Sequence, residues 1–220
     1  AKQLHTEFLS CYQAITDDGS VSAKAVAIRA LKQLCLHYLA KTDSAKAASL
    51  IEQAAASTNM TNVLGALSSV VKAAHPLSNQ LLAHFDSQWR HDVLVMDKWF
   101  ALQAMNSADD AIEKIKALYT HPCFDFSNPN RVRALVGSFS HFNTAQFHRL
   151  DGQGYTLLGD LLIKLNSINP QNASRMLTPF MSWRRYDETR AIAMKAQLER
   201  LSNLEGLSDD LFEKVEKALQ

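Results

Sequence analysis

Apolar residues recur along this chain at spacings of three and four, the period of one face of an α-helix. Across residues 21–40, Val21, Ala25, Ile28, Leu31, Cys35, Tyr38 and Leu39 fall on one stripe, after a turn of Asp17, Asp18, Gly19 and Ser20. A second helix is predicted from Thr42 or Asp43, whose side chains can accept the free amide hydrogens of a first turn, to about Ser57. Its partner covers residues 60–74 and stops at His75 and Pro76, because proline disfavours helix at the residue before it. Another helix follows over residues 77–91. From Ser107, cap, acidic first turn (Asp109, Asp110) and an apolar stripe (Ile112, Ile115, Leu118, Tyr119) all predict a helix ending at His121 and Pro122. Asn128 with Pro129, and Asn169 with Pro170, mark two further starts with proline at the first helical position. Residues 155–168 form a helix after the turn Asp151, Gly152, Gln153, Gly154. A final pair spans residues 187–204 and 208–219, separated at Glu205, Gly206 and Leu207.

Many short helices with brief connections predict an all-α fold: antiparallel helix pairs stacked into a curved superhelical (solenoid-like) array with a concave surface. Residues 1–220 read as a single helical domain. A soft junction falls near His91, where Ala- and Ser-rich sequence becomes rich in aromatics and Arg.

Composition supports this reading. Only 7 Gly and 5 Pro occur, and 47% hydrophobic residues suffice for a substantial core. With 23 basic and 22 acidic residues the formal net charge is +1, so no overall field draws in nucleic acid or anionic lipid. Three cysteines, Cys11, Cys35 and Cys123, form no CxxC pair and suit buried thiols in a reducing compartment. No apolar stretch approaches the roughly 20 residues of a membrane span. The opening residues AKQLHTEFLS lack the pattern of a signal peptide, so the expected location is cytoplasmic.

The search for chemistry returns little. There is no HExxH or HxxH, and His121 with Cys123 reads as a helix-ending turn. His84 with His91, and His141 with His148, read as solvated or hydrogen-bonded histidines. Gly152, Gly154 and Gly159 match neither a dinucleotide fingerprint nor a P-loop, and Gly137-Ser138-Phe139-Ser140 is not a nucleophile elbow. Asp109–Asp110 and Asp209–Asp210 suit helix starts. Arginine is the residue type that stands out: Arg131, Arg133, Arg149, Arg175, Arg184, Arg185 and Arg190 concentrate in the second half beside aromatics. Guanidinium forks bind carboxylates, so such arginines lining a concavity would hold the carboxylate end of a peptide. Solvated arginines paired with local acids are the competing explanation.

The segments DVLVMDKWFALQA (92–104), FDFSNPNRVRALVGSF (124–139), FHRLDGQGYTLLGDLL (147–162) and NPQNASRMLTPF (169–180), with RRYDETR and SDDLFEKVEKAL near the end, resemble the C-terminal domain of bacterial aminopeptidase N. The resemblance is nearly colinear from Asp92 to Gln220 and looser before it. It implies a zinc-dependent aminopeptidase whose metal ligands and general base lie in an earlier domain, so this chain itself would carry no catalytic residue and no cofactor. It further implies that the array closes over the catalytic domain of the same parent chain, encloses the active-site cavity and limits entry to peptide substrates. Arg133 in SNPNRVR and Arg175 in NASRML would face that cavity. Trp99 and Phe100 would be core anchors. The first residue, Ala1 rather than Met, favours a piece of a longer enzyme over the alternative, a free-standing helical-repeat scaffold binding a protein partner.

Overall fold

The computed structural model describes residues 1–42 and 44–220; Asp43, one of the two residues expected to start the second helix, lies outside the described residues. Among the described residues the chain is helical without strands, and the helices form two compact units. The first comprises Ala1–Asp92 with Met105–Ser107, the second Val93–Ala104 with Ala108–Gln220.

The first unit holds α1 (His5–Ala14), α2 (Ala23–Leu39), α3 (Ala45–Ala55), α4 (Met60–Lys72) and α5 (Ser78–Trp89). Helices α2, α3 and α4 pack around Leu36, Leu39, Ile51, Leu67 and Val70, each at most 2% exposed. Burial of each such side chain contributes roughly 1.5–3 kcal/mol. Ser22, Ser44 and Asn59 cap α2, α3 and α4 through bonds from Ala25 N, Ala47 N and Thr61 N. Thr42 does not start α3; its hydroxyl donates back to Leu39 O at 2.6 Å and closes α2. The expected stripe of α2 is also rotated. Ala25, Cys35 and Leu39 are buried, but Val21, Leu31 and Tyr38 face solvent and Arg29 takes the inner position. Arg29 is accommodated because Asp17 Oδ1 lies 2.9 Å away and Ser20 O accepts a second bond at 2.8 Å. The turn before α2 thus supplies a counter-charge as well as a reversal. Helix α4 ends in a Schellman motif: His75 N donates to Val70 O and Ala74 N to Val71 O, with Ala74 at φ 49°.

The second unit holds α6 (Val93–Ala104), α7 (Ala111–Leu118), α8 (Pro129–Val132), a π-helical turn (Arg133–Gly137), α9 (Ser138–Phe142) and α10 (Thr144–Phe147). It continues with α11 (Gln153–Ile168), α12 (Pro170–Met176), a 3-10 segment (Thr178–Arg185), α13 (Glu188–Ser202) and α14 (Asp209–Leu219). Trp99 and Phe100 are core residues, as the sequence predicts. Ser107 is not the start of α7: its hydroxyl donates to Lys72 O at 2.9 Å, and the helix begins at Ala111 with Asp110 in the cap position. Acidic charge still sits at the helix entrance, where Asp110 pairs with Lys114 at 3.0 Å. Both Asn-Pro starts hold: Asn128 Oδ1 accepts from Asn130 N and Arg131 N, and Asn169 Oδ1 from Asn172 N.

α11 runs through the middle of this unit with Tyr155, Leu158, Leu162 and Leu165 buried. Glycine is required at its start, since a Cβ on Gly154 would lie 2.3 Å from the carbonyl oxygen of Phe147. At the far end, Trp183 Nε1 and the Arg184 guanidinium donate to Ala218 O, and Arg184 also to Leu219 O. These donors satisfy carbonyls that a helix C-terminus leaves open and oppose its negative end with a cation.

Candidate functional site

Asn128 and Pro129 set the register of α8, and that register sends two arginines in opposite directions. Arg131 turns inward and is 3% exposed; its Nε lies 3.1 Å from Asp97 Oδ1, its guanidinium sits 4.8 Å from the Phe100 ring centre, and it donates to Val93 O. Two residues on, Arg133 turns outward at the first position of the π-helical turn, where it donates to Asn130 Oδ1 at 2.8 Å. Single π-turns inside helices widen the backbone and recur at functional sites. The turn meets α12 at Gly137. A Cβ there would lie 3.2 Å from Arg133 Cγ and 3.4 Å from Met176 Cε, so the Arg133 stem and the end of α12 converge on the one residue with no side chain. Arg175, next to Met176, is exposed on α12.

The second-half arginines that the sequence singles out divide by their partners. Arg131 is bound to Asp97, Arg149 to Asp151 at 2.8 Å, Arg190 to Asp187 at 2.7 Å, and Arg184 to the end of α14 while stacked 4.3 Å over the Trp183 ring. Among the described residues Arg133, Arg175 and Arg185 pair with no carboxylate. Solvated pairing with local acids therefore accounts for Arg149 and Arg190 and not for the three others.

Arg185 belongs to a feature that the sequence reading did not single out: a cleft of about 590 Å³ bordered by His141, Thr144, His148, Thr178, Arg185 and Tyr186. Neither Arg133 nor Arg175 is among the residues lining it. Its wall is built by His148, whose Nδ1 is 2.8 Å from the Tyr155 hydroxyl and whose Nε2 is 3.2 Å from that of Tyr186, with the Tyr186 ring stacked at 4.5 Å. Burial, with the nearby Arg190 charge, holds the His148 pKa below the usual value, and burial pushes the Tyr155 hydroxyl up to about 12. At neutral pH both groups are uncharged, and the imidazole donates to one hydroxyl and accepts from the other. The paired aromatic and basic residues of WRRY (183–186), shortly after Pro179, were the available signal.

The histidines sort similarly. His141 and His148 do not share a helix, since α9 ends at Phe142. His84 and His91 do not either, yet both border a second groove of about 610 Å³ with Trp89 and Met60. His121 Nδ1 accepts from Cys123 N, forming the expected turn. Of the cysteines only Cys35 is buried; burial and the adjacent Cys11 thiol push it up to about 11. Among the described residues no three His, Cys, Asp or Glu side chains are arranged to hold a metal ion. Nor, among them, is any helix long and apolar enough to cross a membrane.

All 220 residues match the family model described as "Domain of unknown function (DUF3458_C) ARM repeats". The chain belongs to this family, the C-terminal domain of aminopeptidase N. It is 47% identical over 222 residues to aminopeptidase N of Haemophilus influenzae and 42% identical over 221 residues to that of Escherichia coli, each alignment covering 100% of this chain. The chain spans about 25% of the length of these curated relatives. A crystal structure of Legionella pneumophila aminopeptidase A in complex with aspartic acid superposes over 100% of this chain and 27% of that one, with TM-score 0.88 and 32% identity. Consistent with the ARM-repeat description, α1 packs on α2, α3 on α4 and α13 on α14.

Proposed function

We propose that this chain serves a zinc-dependent aminopeptidase as its non-catalytic C-terminal domain, enclosing the active-site cavity and controlling peptide access while the catalytic domain removes N-terminal residues. In this reading its partners are the catalytic domain of the same parent polypeptide and peptide substrates, the zinc resides in that catalytic domain, and the enzyme is cytoplasmic. Enclosure matters physically because a walled, partly dehydrated cavity strengthens charge-assisted contacts and excludes folded proteins.

The observation that carries the proposal is the division among the arginines. In a unit that ties Arg131, Arg149, Arg184, Arg190 and Arg200 to acids or helix ends, Arg133 and Arg175 stand exposed on segments that meet at Gly137, without a carboxylate partner. A peptide's terminal carboxylate is the complementary group. The relatives' names support the reaction class.

The test uses the complete enzyme. Arg133→Ala and Arg175→Ala each lower kcat/KM for a short peptide with a free carboxylate roughly ten-fold, the scale of one charge-assisted hydrogen bond, and leave a chromogenic amino-acid amide unaffected. Equal losses on both substrates would overturn the carboxylate role. Chelator-sensitive turnover by the 220-residue chain alone would overturn the non-catalytic assignment.

A further inference from the structure

The cleft beside His148 collects positive charge that no carboxylate answers. One side comes from α9 and α10, with His141 and Thr144, and the other from the 3-10 segment, Thr178 to Arg185. Among the described residues lining it there is no Asp or Glu, whereas two consecutive arginines, Arg184 and Arg185, border it and both are exposed. Arg184 is fixed by its stack on Trp183 and by bonds to Ala218 O and Leu219 O. These acceptors are neutral, so its charge is oriented without being cancelled. Among the described residues Arg185 has no carboxylate partner, and Asp187, two residues on, is held by Arg190 at 2.7 Å.

Two neighbouring guanidinium groups repel each other, and a bound anion relieves that repulsion while accepting hydrogen bonds from both. A phosphate monoester fits this pair better than a carboxylate does. It carries about two negative charges near neutral pH and three acceptor oxygens, enough for both arginines and for the Thr144 and Ser182 hydroxyls on the same walls. Phe147, Pro179 and Met181 add apolar surface for the body of a small organic molecule. The volume, about 590 Å³, lies within the range of roughly 300–1,000 Å³ usual for such sites. The wall is also set before any ligand arrives, because His148 ties the Tyr155 and Tyr186 hydroxyls together.

We propose that this cleft binds the phosphate group of a small phosphorylated metabolite, with Arg184 and Arg185 gripping the phosphate and the organic body lying against Tyr186. The site is separate from the peptide-carboxylate contacts proposed above, since neither Arg133 nor Arg175 lines it.

Phenyl phosphate, titrated into the complete enzyme at constant ionic strength, is the probe. Calorimetry is expected to give a Kd at or below about 1 mM, Arg185→Ala to weaken binding roughly ten-fold, and Arg133→Ala to leave it unchanged. Bound phenyl phosphate is also expected to protect Arg185 from modification by phenylglyoxal, read by mass spectrometry of the peptide that contains it. Benzoate, one carboxylate on the same ring, is expected to bind roughly ten-fold more weakly, and equal affinity for the two would overturn phosphate as the recognised group. Binding that survives Arg185→Ala and vanishes with a chelator would put the phosphate on the metal of the catalytic domain and overturn the site. Absence of binding, or binding without protection of Arg185, overturns it too. The peptide-to-amide ratio reads Arg133 and Arg175 while phosphate binding reads Arg185, so either proposal can fail while the other stands.

Discussion

The two units solve the same packing problem with different means. In the second, side-chain donors reach across the sequence to backbone carbonyls: Asn143 to Ala104 O, Arg190 to His148 O, Lys214 to Ser174 O and Asn166 to Gly206 O, all within 2.9 Å. The first has fewer such ties, Gln33 to Thr61 O and Ser107 to Lys72 O; there small apolar residues such as Ala47 and Ala66 let α3 and α4 approach, and Arg29 is the main buried cation. Directional ties fix where an exposed side chain stands, which the proposed peptide-binding role requires; small-residue packing imposes no such direction. The contrast within one short motif offers the strongest test. Arg131→Ala strips Asp97 of its buried partner and is expected to cost about 3 kcal/mol in urea denaturation, against under about 0.5 kcal/mol for Arg133→Ala. Similar costs would mean that Arg133 is structural after all.

Glycines sharpen the comparison at a smaller scale. Gly154→Ala places a methyl group against the backbone oxygen of Phe147, which only a shift of α10 or α11 can relieve, and should destabilise by about 2 kcal/mol. In the first unit the atoms nearest a Cβ on Gly65 belong to the Gln33 side chain, the first at 2.6 Å. Gln33 can swing aside at the expense of its bond to Thr61 O, so Gly65→Ala should change stability by less than about 0.5 kcal/mol. Left-handed positions reverse the sign. Ala74→Gly relieves strain at the end of α4 and should stabilise by up to about 1 kcal/mol, whereas Gly152→Ala, at φ 70°, should cost about that much. Thermal unfolding of the four variants reads all of these.

What could be read in advance follows from the range of the forces involved. Asn128 and Asn169 act on amides two or three residues away, so their caps were visible in sequence, as were the core positions of Trp99 and Phe100. Ser107 offered the same local signature but was drawn to Lys72 O, 35 positions earlier, a choice made by tertiary structure. Periodicity failed on α2 because apolar residues lie on both its inner and its outer side, so spacing could not select Arg29 for the inside or turn Leu31 outward. Arg133 and Arg175 were named from a resemblance and a chemical argument. That they lack acidic partners while Arg149 and Arg190 have them depended on the conformation of each side chain, which no spacing rule encodes.

The smallest expected effect is titration of the cleft wall. Burial, followed by the Arg190 charge, depresses the folded-state pKa of His148 below its unfolded value near 6.5, so just below that value the unfolded chain binds more protons. The contribution of His148 is therefore fully present above pH 6.5 and is lost as pH falls through the depressed value. Protonation removes the ring's only acceptor nitrogen, and whichever hydroxyl donated to it, that of Tyr155 or Tyr186, loses that bond while a second cation appears beside Arg190. His37 in the first unit shifts in the same direction, through burial and then Lys41 and Lys72. Among the described residues its ring meets Tyr38 edge to face rather than sitting between two tyrosine hydroxyls, so the two sites separate charge burial from loss of a relay. Unfolding followed from pH 7.5 to 5 should show His148→Gln flattening the acid-side decline more than His37→Gln. The reverse order would place the pH sensitivity in simple burial and leave the Tyr155–His148–Tyr186 wall energetically unimportant.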